Sequence, residues 1–462
     1  MKEVDVSLRL LVASAIIICL MVSCAATEKA AMTQPPERQF ASVIRIKPEV
    51  HPALASGPIP RGFGVNIHFT HGSARDLELM KASGIEMIRM DFTWTAIERE
   101  KGKYDFAACD QLLNDMDAMG IRCLMVIDYG NSLYEEASPS REETRAAYAR
   151  MVEDAARRYR GRNVIWEVWN EPNLPRFWQP IQNVDDYMAL VKALVPAIRR
   201  GDPDSCVVAP ACSGIALGWL EECFKRGMLE LVDGVSVHPY RGIFYTPARN
   251  FFPKGGESRR KLNEERLAPE STISEYRALN ELMAKYKPDG RKVALLCGEW
   301  GYSTAWMSWE MQGAYMARSW LVNQYCGATV SIWYDWVDDG PDPKATEDNF
   351  GTINKGNPKP AYRAMHNLIA QLKGYRFVGR IPVGASRDYA MLYSDGAKAK
   401  LVVWTLDVPH RIKLDIGANV TGAIDYIGRR IAIKDATNPL LSEEPRYLEL
   451  DAIPSVQGER LL

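Results

Sequence analysis

Val164-Ile165-Trp166-Glu167-Val168-Trp169-Asn170-Glu171-Pro172-Asn173 opens as an apolar run and closes on polar groups and a proline. The opening suits a strand packed on both sides. Pro172 disfavours helical geometry at Glu171, which leaves that carboxylate where the strand stops. Seven further runs of this kind lie around it: Gly62–His68, Ile85–Asp91, Cys123–Asp128, Cys206–Ala211, Val232–His238, Val293–Glu299 and Thr329–Trp336. Val293-Ala294-Leu295-Leu296-Cys297 is apolar on both faces, as a parallel strand covered by helices must be.

Helical patterns separate the runs. Ser140 and Glu143 have capping-box spacing ahead of Tyr148, Met151, Val152, Ala155 and Tyr159, and Gly161 follows as a stop. Asp185–Arg200, closed by Gly201, and Trp309–Cys326, closed by Gly327, read the same way. Eight strand–helix units over residues 59–374 predict an α/β fold, a (β/α)8 TIM barrel. After Gly374 the period changes. Tyr389–Tyr393, a turn at Asp395-Gly396 and Lys400–Thr405 predict a hairpin, with strands at Arg411–Ile416, Ala423–Ile427 and Tyr447–Leu450. Residues 375–462 are therefore expected to form a small all-β, sandwich-like domain.

Residues 1–24 read as an export signal. Lys2 and Arg9 precede the apolar run Leu10–Val22, which is too short to span a bilayer. Met21-Val22-Ser23-Cys24 resembles a bacterial lipoprotein box, which implies lipid on Cys24 and a place in the cell envelope; cleavage near Ala25-Ala26 without an anchor is the alternative. Residues 25–58 are polar and Pro-rich, a tether with one short strand-like run, Ser42–Ile46. A net charge of −1 gives no basic excess to hold nucleic acid. Setting aside Cys19 and Cys24, seven of the nine cysteines remain, without CxxC spacing, and no disulfide framework or zinc site is expected. A Cys206–Cys212 bridge is the one pairing open to them. No clustered His/Cys ligands occur, so neither metal nor cofactor is predicted.

Catalytic groups of such barrels stand at the C-terminal strand ends. The fourth run ends in Asn170-Glu171 and the seventh in Gly298-Glu299. Two carboxylates from different sides of one mouth suit glycosidic cleavage: one protonates the leaving oxygen, and the other attacks the anomeric carbon or activates water. Trp-Asn-Glu-Pro-Asn at 169–173, His-Pro-Tyr at 238–240 and Gly-Glu-Trp-Gly at 298–301 together resemble clan A glycoside hydrolases, family 39 and related family 5 enzymes above all. The resemblance implies retention of configuration on an oligo- or polysaccharide, with Glu171 as acid/base and Glu299 as nucleophile. It also implies Asn170 on the sugar 2-hydroxyl, Tyr240 beside the nucleophile and Trp333 under the sugar.

Further candidates come from alternation. Ser236, His238 and Tyr240 point one way. Arg89 shares an inward parity with Asp91, and either pairs with Glu167 inside the barrel or hydrogen-bonds Asn170 or Glu299 at the mouth. Glu167, four residues before Glu171, is about 13 Å down an extended strand and too deep for substrate. Asn66 and His68 also face the site on this reading, and Trp336 divides between sugar contact and core. Asp338-Asp339-Gly340-Pro341-Asp342 with Glu347-Asp348 reads as a solvated loop rather than a calcium site. Phe244, Tyr245, Phe251 and Phe252 beside Lys254, Arg259, Arg260 and Lys261 read as a covering loop, with outer subsites for an acidic glycan as the alternative. The same residues would serve a transglycosylase, and a non-catalytic carbohydrate-binding lipoprotein is the reading from another class.

Overall fold

The structure, a computed structural model, describes residues 49–241, 267–432 and 438–454. The signal, Cys24, most of the tether and the segment carrying Phe244 to Lys261 lie outside them. Eight parallel strands close a barrel in chain order: β1 (Phe63–Asn66), β2 (Met87–Thr93), β3 (Arg122–Asp128), β4 (Ile165–Val168), β5 (Cys206–Ser213), β6 (Gly234–His238), β7 (Ala294–Trp300) and β8 (Ala328–Trp333). The periods explain the closure. Met87, Leu124, Val126, Ile165, Val208, Leu296, Val330 and Ile332 point inward and fill the barrel. Residues of the other parity, such as Ile88, Met125, Trp166 and Val207, pack outward on the helical layer.

Helix Glu142–Arg158 packs beside helix Val184–Gly201. The capping box expected at Ser140 does not form, because Ser140 Oγ donates to Glu135 and the helix begins after Arg141 with no side-chain cap. None of the seven described cysteines is in a disulfide; all are buried, so the Cys206–Cys212 bridge is absent.

The chain beyond the barrel forms a short hairpin, β9 (Ile353–Asn354) with β10 (Asn357–Pro358), and then helix Pro360–Leu372. Next come β11 (Arg376–Arg380), β12 (Asp388–Ser394), β13 (Ala399–Thr405), β14 (His410–Arg411), β15 (Val420–Asp425), β16 (Leu440–Leu441) and β17 (Arg446–Leu450). Five of them make an antiparallel sheet ordered β11-β12-β13-β17-β15, and β14 pairs with β16. The expected strand at Arg411–Ile416 shrinks to β14.

Alternation along this sheet sorts its two faces. Tyr389, Met391, Tyr393, Val402, Trp404 and Tyr447 join the barrel's core, whereas Ala390, Leu392, Leu401, Val403 and Leu448 pack under Ile412, Ile416 and Leu441. The second layer is therefore thin, one ladder and its loops. A buried ion pair fastens the sheet to the barrel: Glu270 takes both Arg318 (2.6 and 2.9 Å) and the Trp404 indole (2.7 Å).

Candidate active site

All eight strands contribute to the site, β5 through its backbone. β4 stops at Val168, and the next residues leave extended geometry: Trp169 and Glu171 have φ of +70° and +47°. Left-handed backbone at such residues costs on the order of 1–3 kcal/mol each and persists where its surroundings enforce it. Here the Glu171 N–H donates to the Ala211 carbonyl (3.0 Å), on the bulge that interrupts β5 between Ala209 and Cys212. Glu171 is thereby turned toward the barrel axis, where His238 Nδ1 lies 3.0 Å from its Oε1.

On β7 a second bulge, between Cys297 and Trp300, re-aims Glu299. Strict alternation from Ala294 and Leu296 would send Gly298 inward and Glu299 outward. The bulge lets both face the interior. Gly298 is required for this, because a Cβ there would stand 2.2 Å from Ser236 Oγ and 2.9 Å from Glu167 Oε1.

Glu299 accepts the Tyr240 hydroxyl on Oε1 (2.6 Å) and the Arg89 guanidinium on Oε2 (2.7 Å). Burial alone would raise its pKa, but His238, Arg89 and Tyr240 outweigh burial and hold it below the ordinary 4.5. Burial and the Glu299 charge push Tyr240 well above the usual phenol range, so it remains a donor. The nearest oxygens of Glu171 and Glu299 lie within 4.8 Å of one another.

Arg89 makes both contacts that the sequence left open. Nε donates to Glu167 (2.7 Å), Nη1 to Glu299 and to Asn66 (3.1 Å), and Nη2 to the Asn170 carboxamide oxygen (2.9 Å). Glu167 is wholly buried and paired with Arg89, as expected, and Arg89 links it to Glu299. The Asn170 amide nitrogen donates to Tyr129 (3.0 Å), which fixes the carboxamide's orientation.

His68, on the chain following β1, stands at the mouth with its Nδ1 2.9 Å from Asp339 and 3.6 Å from Asp335. Burial lowers its pKa, but the Asp339 hydrogen bond and charge more than reverse this.

Trp333 is not under the sugar. It is wholly buried on the outward side of β8, facing Tyr302, because Val330 and Ile332 take the inward places. The next residue, Tyr334, has the position expected of Trp333: its ring lies 5.3 Å from His68 and Phe350 and 6.4 Å from Tyr240. Trp336 is core, packed on Tyr362 with its indole nitrogen toward Asp76.

The sequence reading missed Tyr129, Tyr334 and Asp335. All three directly follow an apolar run or lie within its last residues, so the strand-end rule applied to every run finds them.

Three groupings among the described residues bring metal-type donors within 4.8 Å: Glu171–His238–Glu299, His68–Asp335–Asp339, and His51–Cys206–Asp233 at the far end of the barrel. The first contains the two glutamates that face each other across the mouth. Asp338 of the acidic loop is paired with Lys359 (3.0 Å) and Asn354 (2.7 Å).

A closed parallel barrel with two glutamates facing each other across its C-terminal mouth defines a glycoside hydrolase of clan A. The sequence profile of the Cellulase (glycosyl hydrolase family 5) family matches residues 56–339, more than half of the chain, and the protein belongs to that family. Its fold is similar to a family 39 glycoside hydrolase from the gut symbiont Bacteroides cellulosilyticus WH2 (TM-score 0.69, 24% identity, covering 88% of this chain and 82% of that one). It is also similar to a family 39 β-xylosidase from Caulobacter crescentus (TM-score 0.61, 18% identity, 86% and 97% covered). A β-xylosidase of Geobacillus stearothermophilus is 36% identical over 83 residues, which are 17% of this chain and only 16% of that protein.

Removing the Tyr240 hydroxyl is expected to raise the pKa of Glu299. With Glu299 required in its ionised form, activity would be present above its pKa and lost as pH falls through it. The acid limb of kcat/KM in Tyr240→Phe is therefore expected at higher pH than in wild type, with kcat lower by roughly tenfold. An unmoved limb would mean that Tyr240 does not tune Glu299.

Proposed function

We propose that the protein hydrolyses β-glycosidic bonds of an oligo- or polysaccharide with retention of configuration. The spacing of the two carboxylates carries this reading. Oxygens within 4.8 Å of one another stand nearer the roughly 5–5.5 Å of retaining enzymes than the about 6.5–9.5 Å of inverting ones, which set a water in the wider gap. Glu299, ionised by Arg89 and Tyr240, attacks the anomeric carbon as the bond to the leaving oxygen breaks. Glu171 gives that oxygen its proton. Water then attacks the glycosyl-enzyme, Glu171 takes the water's proton, and the Glu299 ester bond breaks. The Asn170 carboxamide, held by Arg89 and Tyr129, keeps one N–H for the sugar 2-hydroxyl.

Aryl β-glycosides are the test. Glu171→Ala is expected to lose roughly 10²–10⁴-fold in activity. Azide should restore turnover and give a β-glycosyl azide, because it attacks the glycosyl-enzyme without needing a base. An α-azide product, or unimpaired activity in the variant, would sink the assignment. Export with lipid on Cys24 belongs to the same reading and is supported by the Met-Val-Ser-Cys run at 21–24. Cells fed labelled palmitate are expected to mark the wild type and not Cys24→Ala; equal labelling refutes the anchor.

A further inference from the structure

In an eight-stranded barrel β4 and β8 are diametrically opposed. Under the reading above, the leaving group departs beside Glu171 at β4, so the sugar being cleaved extends over the ends of β8, β1 and β2. The side chains there are His68, Asp91, Tyr334, Asp335 and Asp339, with Glu347 on the flanking loop close enough for the charges of Glu299, Asp339 and Glu171 to act on it. The described cations near them are already engaged or peripheral: His68 lies between Asp335 and Asp339, and the Arg176 charge acts on Glu347. Arg89 is shared among Glu167, Glu299, Asn66 and Asn170. Lys359 is buried against Asp338. Arg176 is exposed at the rim, over the Phe177 ring at 5.3 Å.

We propose that this glycone pocket is built for an uncharged sugar and rejects uronic acids. The inference rests on the glycosidase reading for which end of the pocket holds the glycone. A carboxylate on the sugar ring would enter a pocket where, among the described residues, carboxyl groups outnumber the cations that could match them. Burial, and then the charges of Asp339 and Asp338, push Asp335 well above the ordinary carboxylate range; burial also raises Asp91, against the opposing charge of Arg89. Sugar hydroxyls suit the same surface, since each both donates and accepts. Asp335 is buried at this wall beside Tyr334. His68, drawn between Asp335 and Asp339, provides a donor next to it.

Calorimetric titration with paired glyconolactam inhibitors tests this without turnover: gluco, galacto and manno forms, each beside its uronic acid counterpart, at low and at high salt. In every configuration that binds, the neutral member is expected to bind at least tenfold tighter at low salt, and the gap should narrow as salt screens the carboxylates. Asp339→Arg, at a partly exposed position, is expected to narrow the gap by roughly tenfold, since it adds a cation to the wall. A uronate that matches or exceeds its neutral partner overturns the proposal, and so does failure of all the neutral members to bind. Tight neutral binding with no cleavage of any glycoside would end the hydrolase reading and leave this one standing.

Discussion

Arg89→Met is expected to abolish turnover and lower stability by about 3–5 kcal/mol, the cost of leaving one member of a buried ion pair alone. Arg89 and Glu167 are almost wholly buried, and their 2.7 Å contact is continuous with the 2.7 Å contact to Glu299. The two effects separate in the double variant. Arg89→Met with Glu167→Leu removes both buried charges and should recover most of the stability, since apolar replacement of a buried pair is often neutral or better. It should recover no turnover, because Glu299 still lacks its cation and Asn170 its anchor. Unfolding curves in denaturant, read beside kcat, check both. If Arg89→Met unfolds at the wild-type midpoint and turns over normally, Arg89 is not the hub of the site.

Gly298→Ala is expected to cost at least about 10²-fold in kcat, since displacing a reacting group by about 1 Å has that effect. The backbone is not the obstacle, as Gly298 is not among the left-handed glycines. The obstacle is space: the added methyl meets Ser236 Oγ at 2.2 Å and Glu167 Oε1 at 2.9 Å, inside a bulge whose next residue is Glu299. Overpacking of this kind typically destabilises by about 1–3 kcal/mol. Ser236→Ala removes the nearest clashing atom, so Gly298→Ala with Ser236→Ala should regain part of the lost kcat. Wild-type kinetics in the single variant would show that the bulge tolerates a side chain and does not position Glu299.

Much of this molecule is legible along the chain. The eight apolar runs correspond to β1–β8, with boundaries moved by a few residues, because a strand covered on both sides must be apolar throughout and that is a local property. The hairpin about Asp395-Gly396 is local in the same way; β12 and β13 pair there around Gly396 at φ +97°. Glu171 and Glu299 announce themselves as the polar residues on which two such runs end. Alternation was a poorer guide near those ends. A bulge turns Glu299 inward against it, and the family resemblance placed Trp333 at the sugar, whereas Val330 and Ile332 take the inward places on β8 and leave Tyr334 beside His68 and Tyr240.

The sequence by itself determined the order of strands and helices, the parallel barrel and the pair of carboxylates at its mouth, since these follow from periodicity and from what each run ends on. The tertiary structure alone decided which way the site's side chains face and what they touch. A bulge reverses parity within a run that is otherwise regular, and Arg89 meets Glu167, Glu299 and Asn170 because barrel closure turns side chains 78 and more residues apart in the chain into one interior.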